Sequence, residues 1–267
     1  MCYCEGRKSI KKALAFLLIC IILIVPIYAE DSGDIVDSGS RVGTIEPDGP
    51  VLSNEQIIAI ALQDTTLSVK QKQQILQKES LAKTLLTARA TASATSSILY
   101  VTPIMQETDT WCSAATIQQT LGYMSLSYSN QSAIIRSTGE APGLNTVLNY
   151  LNSHQTKNVY LRTIVDDQSD LDTRLGVAYA INSPIVFSMK ATTQNAANKV
   201  WPYWSYGHFT NLCGKSTSND EPYRVADPFY FKHYVSSGSS GILYRDFDQL
   251  WIVNGNLFGE DTHTIGY

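Results

Sequence analysis

Gln106-Glu107-Thr108-Asp109-Thr110-Trp111-Cys112-Ser113-Ala114-Ala115-Thr116 is the stretch on which the reading of this chain turns. After Cys112, Ala114, Ile117, Leu121 and Met124 recur at the spacing of one helix face. The residues from Pro103 to Trp111 have no such period and read as a loop. Cys112 therefore stands at or near a helix N-terminus, where unpaired N–H groups and the helix dipole favour an anion. A thiolate is the form of cysteine that attacks a carbonyl. A small buried cysteine facing the core is the other reading of the same residue. Gln106 lies six residues upstream, where its amide can turn back toward the thiol and donate to the oxyanion such an attack creates.

A thiol nucleophile needs a base, and the chain has four histidines. His154 follows a helical pattern and reads as a solvent-facing end residue. His263 sits in a polar tail, and His233 lies in an aromatic stretch with a structural reading. His208 differs: it follows Gly207 and opens an apolar run, Phe209 to Gly214, that reads as a strand. The chain then turns through Lys215–Pro222 and returns as Tyr223-Arg224-Val225-Ala226-Asp227-Pro228. Pairing Gly214 with Tyr223 sets His208 opposite Phe229 and Thr210 opposite Asp227. Asp227 is then diagonal to His208 on the same face, a position from which a carboxylate orients an imidazole. Asn211 is a second, weaker candidate for that task, and a turn after a strand is the alternative reading of Asp227-Pro228.

Working outward, helices are expected after Cys112, at Leu144–Asn152 and at Leu171–Ile181. Strands are expected at Ile185–Lys190, Phe209–Gly214, Tyr223–Ala226 and near Ile242–Tyr244. Asp246-x-x-Gln249 marks a further helix start. Helices first and strands later point to an α+β domain with an antiparallel sheet, placed at 98–267. Upstream, Ser53-x-x-Gln56 and Ser68-x-x-Gln71 have the form of capping boxes and announce two helices, followed by an Ala/Thr/Ser-rich linker, Thr87 to Ser97. Glu30 to Leu52 is acidic and without a hydrophobic period, and reads as disordered. Residues 30–97 are thus expected to form a pro-region whose helices cover the site, or a spacer. At the N-terminus, Arg7, Lys8, Lys11 and Lys12 precede the apolar run Ala13–Val25, then Pro26-Ile27-Tyr28-Ala29 and the acidic Glu30-Asp31. This is the layout of a signal peptide over 1–29. It implies a secreted or cell-surface protein, with an uncleaved membrane anchor as the alternative.

Without residues 1–29, which hold four positive charges and one negative, the net charge falls from −4 to −7. A chain this acidic, without a cluster of Lys or Arg in its body, is a poor fit to nucleic acid. Three of the five cysteines lie in the leader, leaving Cys112 and Cys213 either to pair with each other or to include a working thiol. No metal motif and no Gly-rich phosphate loop stand out, so no cofactor is expected.

Taken together, Gln106, Cys112-Ser113-Ala114-Ala115, Gly207-His208-Phe209 and Ala226-Asp227-Pro228 resemble the papain-like cysteine peptidases, and within them the family of the bacteriocin-leader-processing peptidases. The likeness is one of motif order and spacing over roughly 98–255. It departs at Ser113, where that family often has Gly, and nothing resembling the transporter to which many members are fused is read in these residues. The resemblance implies a papain-like fold and hydrolysis of a peptide or protein substrate. By it Gln106 lines the oxyanion hole, Cys112 attacks, His208 is acid and base, and Asp227 orients His208. The same site chemistry also serves cell-wall amidases and transamidases, and a non-enzymatic domain that kept the fold is a third reading.

Overall fold

The computed structural model describes residues 52–89, 97–217, 220–258 and 262–267. The expected signal segment, the acidic stretch up to Val51 and most of the Ala/Thr/Ser linker lie outside the described residues. Helix α1 (Asn54–Gln63) starts where its capping box places it, with Ser53 Oγ accepting from the Gln56 N–H and the Gln56 side chain accepting from the Ser53 N–H. Helix α2 (Val69–Arg89) starts on the reciprocal bonds of Ser68 and Gln71.

Next come β1 (Ser97–Ile98), α3 (Cys112–Tyr123), α4 (Gln131–Thr138), α5 (Leu144–His154), β2 (Arg162–Ile164), α6 (Gln168–Ala180), β3 (Ile185–Met189) and α7 (Thr193–Ala197). The chain ends in β4 (His208–Lys215), β5 (Tyr223–Phe231), β6 (Ser240–Arg245), α8 (Phe247–Phe258) and β7 (Thr264–Gly266). The protein is thus mixed α+β, with an antiparallel sheet in the order β2-β7-β3-β4-β5-β6. Strand β1 pairs with the far end of β4, at Gly214 and Lys215, beyond the residues that β3 reaches.

Both faces of the sheet are covered, and β3 shows why. All five of its residues are buried. Val186 packs with Phe209 against α3, α4 and α5, whereas Ile185, Phe187 and Met189 pack against α6 and α8 on the opposite face. A strand buried on both faces reads as a continuous apolar run, as this one does. Helix α6 begins three residues before Leu171 because Asp167 caps it, accepting from the Asp170 N–H at 2.8 Å. Helix α8 is opened by the Asp246–Gln249 pair as its spacing implies. His263 departs from expectation. It is buried beside β7 and stacks on Trp251 with ring centroids 3.3 Å apart, because the last residues form a strand within the sheet and not a polar tail. No helix among the described residues is long and apolar enough to cross a membrane.

Helices α1 and α2 dock on the edge of the sheet formed by β2 and β7, and on α6. Asn54 exchanges two hydrogen bonds with the backbone of Ile164, at 2.9 and 2.7 Å. Lys78 is buried, and its Nζ donates to the carbonyls of Val159 at 2.6 Å and Tyr267 at 2.9 Å. Glu79 pairs with Arg174 of α6 at 3.0 Å. The expectation that these helices lie over Cys112 is not met: the surfaces they bury are the Val159–Leu161 strip and α6.

The β4–β5 ladder contains a bulge at Cys213. Leu212 faces Val225, but Gly214 faces Arg224 and not the expected Tyr223. Gly214 has φ +131°, and a Cβ there would sit 2.0 Å from the Ser97 carbonyl oxygen. Only glycine permits both the bulge and the approach of β1. Gly214→Ala is expected to destabilise the protein by about 3 kcal/mol, read as a lower urea midpoint at unchanged slope; an unchanged midpoint would mean the bulge is not under this constraint.

Candidate active site

The bulge has a consequence at the other end of the ladder. It absorbs one residue between the turn and Leu212, so that Asn211 faces Ala226 in the register expected for the site even though the pairing near the turn differs. Asp227 is the next residue of β5, and its side chain reaches His208 at the start of β4. Nε2 of His208 is 2.9 Å from Oδ1 of Asp227, and both side chains are wholly buried. A carboxylate oxygen accepts, so Nε2 is the protonated nitrogen and Nδ1 is left to face elsewhere. Oδ1 also accepts from the Phe229 N–H at 2.8 Å, and Oδ2 accepts from the Tyr203 hydroxyl at 2.5 Å.

Cys112 is the first residue of α3, as its spacing implies, and only 3 % exposed. Trp111 at the N-cap supplies no side-chain bond to the first-turn N–H groups, and this end of the helix favours negative charge. Two side-chain bonds seat the helix on the sheet. Thr116 Oγ1 donates to the Phe209 carbonyl at 3.0 Å, and Asn211 Nδ2 donates to Thr120 Oγ1 at 2.8 Å. Asn211 is therefore tied to α3 and does not orient His208; its place one pair inside the ladder turns it toward the helix.

Burial opposes a charge on His208, but Asp227 and then Cys112 outweigh it and raise its pKa to about 9. Cys112 is the other neighbour that favours the charged form of the ring. Its contact is looser than the one to Asp227, since Nδ1 has no partner at full hydrogen-bond geometry among the described residues. The three expected residues Cys112, His208 and Asp227 thus meet, with the thiol and the carboxylate acting on one ring.

Gln106 is buried in the loop before α3. Its backbone N–H donates to the Pro228 carbonyl at 3.1 Å and its carbonyl accepts from Tyr234 at 2.8 Å, which binds this loop to the residue after Asp227. One Nε2–H bond is committed to the Thr108 carbonyl at 2.8 Å, and the amide has a second to offer. The remaining candidates lie elsewhere. Cys213 is a free thiol, as is Cys112, so the two do not form a disulfide. Burial pushes Cys213 up to about 12, and it packs with Leu99, Val101 and Ala226. His154 and His233 are exposed; His154 stacks on Tyr150, and His233 meets Tyr234 edge-on. Tyr203 was not foreseen. The aromatic run Trp201-Pro202-Tyr203-Trp204-Ser205-Tyr206 before Gly207-His208 was its signal, but spacing does not say which ring reaches the carboxylate.

A buried thiol and a base held by a carboxylate are parts of nucleophilic acyl transfer. Among the described residues no group of three His, Cys, Asp or Glu could hold a metal ion. No protein-family model matches the chain, and no curated protein matches it.

Asp227→Asn removes the stronger of the two influences that offset burial, leaving only that of Cys112. The His208 ring is then expected to titrate well below the wild-type value of about 9, as followed by NMR of the ring protons. The linkage has a matching sign. In the wild type the raised pKa contributes stability that is complete below about pH 6.5 and lost as pH rises through about 9, and the variant shows a smaller dependence. A ring that still titrates near 9 in Asp227→Asn would assign the stabilisation to another group.

Proposed function

We propose that this chain is an exported cysteine peptidase of papain-like fold. The observation that carries the reading is the buried His208–Asp227 bond at 2.9 Å, which holds Nε2–H on the carboxylate and leaves Nδ1 as the nitrogen for Cys112. His208 takes the thiol proton at Nδ1, and the thiolate attacks the peptide carbonyl. The N–H groups at the start of α3 and the second Gln106 N–H receive the oxyanion. The imidazolium then gives its proton to the departing amine, leaving an acyl-enzyme that water hydrolyses with His208 again acting as base. Asp227 keeps its charge and steadies the imidazolium throughout. A neutral Ser or Thr could not hold that ring charge in a buried site.

Two further features support the reading. The thiols are free, which removes the disulfide that would block attack in a binding domain. The basic, apolar and small-residue order of 1–29 supports export. The site is closed, with Gln106 and His208 fully buried, so admission of a peptide requires the surrounding chain to move.

The test is to treat the purified protein with E-64 or iodoacetamide at neutral pH and map the label by mass spectrometry. Cys112 is expected to label, with Cys213 untouched as an internal control, and His208→Ala is expected to label about 100-fold more slowly. Cleavage of an unfolded protein, with peptidoglycan left intact, separates a peptidase from a cell-wall amidase. Equal labelling in the wild type and His208→Ala would remove the base from the mechanism and the reading with it.

A further inference from the structure

Asp227 serves His208 through one oxygen only. Oδ1 takes the His208 Nε2–H and the Phe229 N–H, while Oδ2 rests on the Tyr203 hydroxyl at 2.5 Å. The Tyr203 ring does a second thing. It stands edge-on to His208, with centroids 5.7 Å apart and an interplanar angle of 89°, and it leans on Phe229 at 4.8 Å. Both rings are buried, so neither contact is shared with bulk water.

Accepting the peptidase reading on which this rests, we infer that Tyr203 is a positioning residue of the site: its hydroxyl locks the orientation of Asp227 and its ring walls in the imidazole, so that Nδ1 stays on Cys112. The Phe229 N–H and the His208 Nε2–H converge on one carboxylate oxygen and leave rotation about Cβ–Cγ to be set by whatever holds the other. Tyr203 is the donor that holds it. Burial, and then the charge of Asp227, raise the phenol well above its ordinary value, so it remains a donor at every working pH and does not act as a base. Its neighbour Trp201 is also buried and packs edge-on to it at 6.4 Å, which limits the ring to this orientation. Tyr203 has no part in proton transfer; it acts through Asp227.

Tyr203→Phe keeps the ring and removes the hydroxyl. Oδ2 is then buried without a donor, which disfavours both the charge and the fixed orientation of the carboxylate. The imidazolium loses support, and so does its pairing with the Cys112 thiolate. The pH profile of E-64 inactivation is therefore expected to narrow from both sides, each limb moving inward by about one pH unit. The His208 ring is expected to titrate below the wild-type value of about 9. A residue that only fills space would lower the folded fraction and leave both limbs, and the titration of the ring, in place; that result overturns the inference. A wild-type Cys112 that is not activated at all overturns the peptidase reading itself, and the two failures are thereby told apart. Should Tyr203→Phe fail to fold, the wild-type protein still decides the matter. The hydroxyl proton of Tyr203 is expected to resonate far downfield in NMR and to vanish from that position in Asp227→Asn, and its absence in the wild type overturns the assignment.

Discussion

A carboxylate with no access to water must find all its partners inside the protein, and Asp227 is wholly buried. It finds three: an imidazole, a backbone N–H and a phenol. Each partner comes from a different piece of chain. His208 is the first residue of β4, Phe229 lies two residues along β5, and Tyr203 is in the segment that leads into β4. The need to satisfy this one group therefore fixes the register of two strands and the path of the loop between α7 and β4. Removing any partner leaves a buried charge incompletely paired, which costs more than the bond itself contributes.

The rest of the fold serves this arrangement by limiting how its parts can move. The β4–β5 ladder is anchored away from the site by Arg224, whose guanidinium donates to the carbonyls of Leu99 and Val101 at 3.1 Å each. The bulge at Cys213 lets β1 press against Gly214 without shifting the residues beyond Leu212. Helix α3 cannot slide on the sheet, because Thr116 and Thr120 are tied to β4 at Phe209 and Asn211. Cys112 is thus held over the start of β4 by bonds made one and two turns further along the helix. The loop before it is held from the other side, by the Gln106 N–H on the Pro228 carbonyl.

Much of this was legible because it depends on local chemistry. Capping pairs at Ser53, Ser68 and Asp246 start helices wherever they occur, since the helix leaves its first N–H groups unsatisfied. The apolar stripe after Cys112 placed the thiol at a helix start, and alternation along two strands set Asp227 beside His208. What stayed hidden depends on tertiary choice. Strands β1, β2 and β7 have only two or three residues each, too few to show an alternation. Gly214 could be read as an ordinary strand residue, because nothing near it in sequence announces that Ser97 will pass 2.0 Å from its missing Cβ. Of the aromatic residues Trp201, Tyr203, Trp204 and Tyr206, the loop conformation alone selects Tyr203 for the carboxylate. His263 has polar neighbours in sequence, and its burial comes from Trp251 on a different element.

The same bonds that build the charge network also close it. Tyr203 belongs to the segment before His208 and Gln106 to the segment before Cys112, and both are fastened at or next to Asp227. On the peptidase reading proposed above, a peptide reaching Cys112 would have to displace chain that is attached to the site residues themselves. The imidazole and carboxylate are paired in the closed structure, so on that reading ionisation of the pair would not be the step a substrate brings about. Substrate binding would then have to supply the opening. Helices α1 and α2, fastened to Val159, Tyr267 and Arg174 at the opposite end of the sheet order from β5, are not part of that closure. On that reading, access would be controlled by the two short segments that precede the thiol and the base, both fastened at or next to one buried carboxylate, so that admitting a substrate would be coupled to the alignment of the His208 ring.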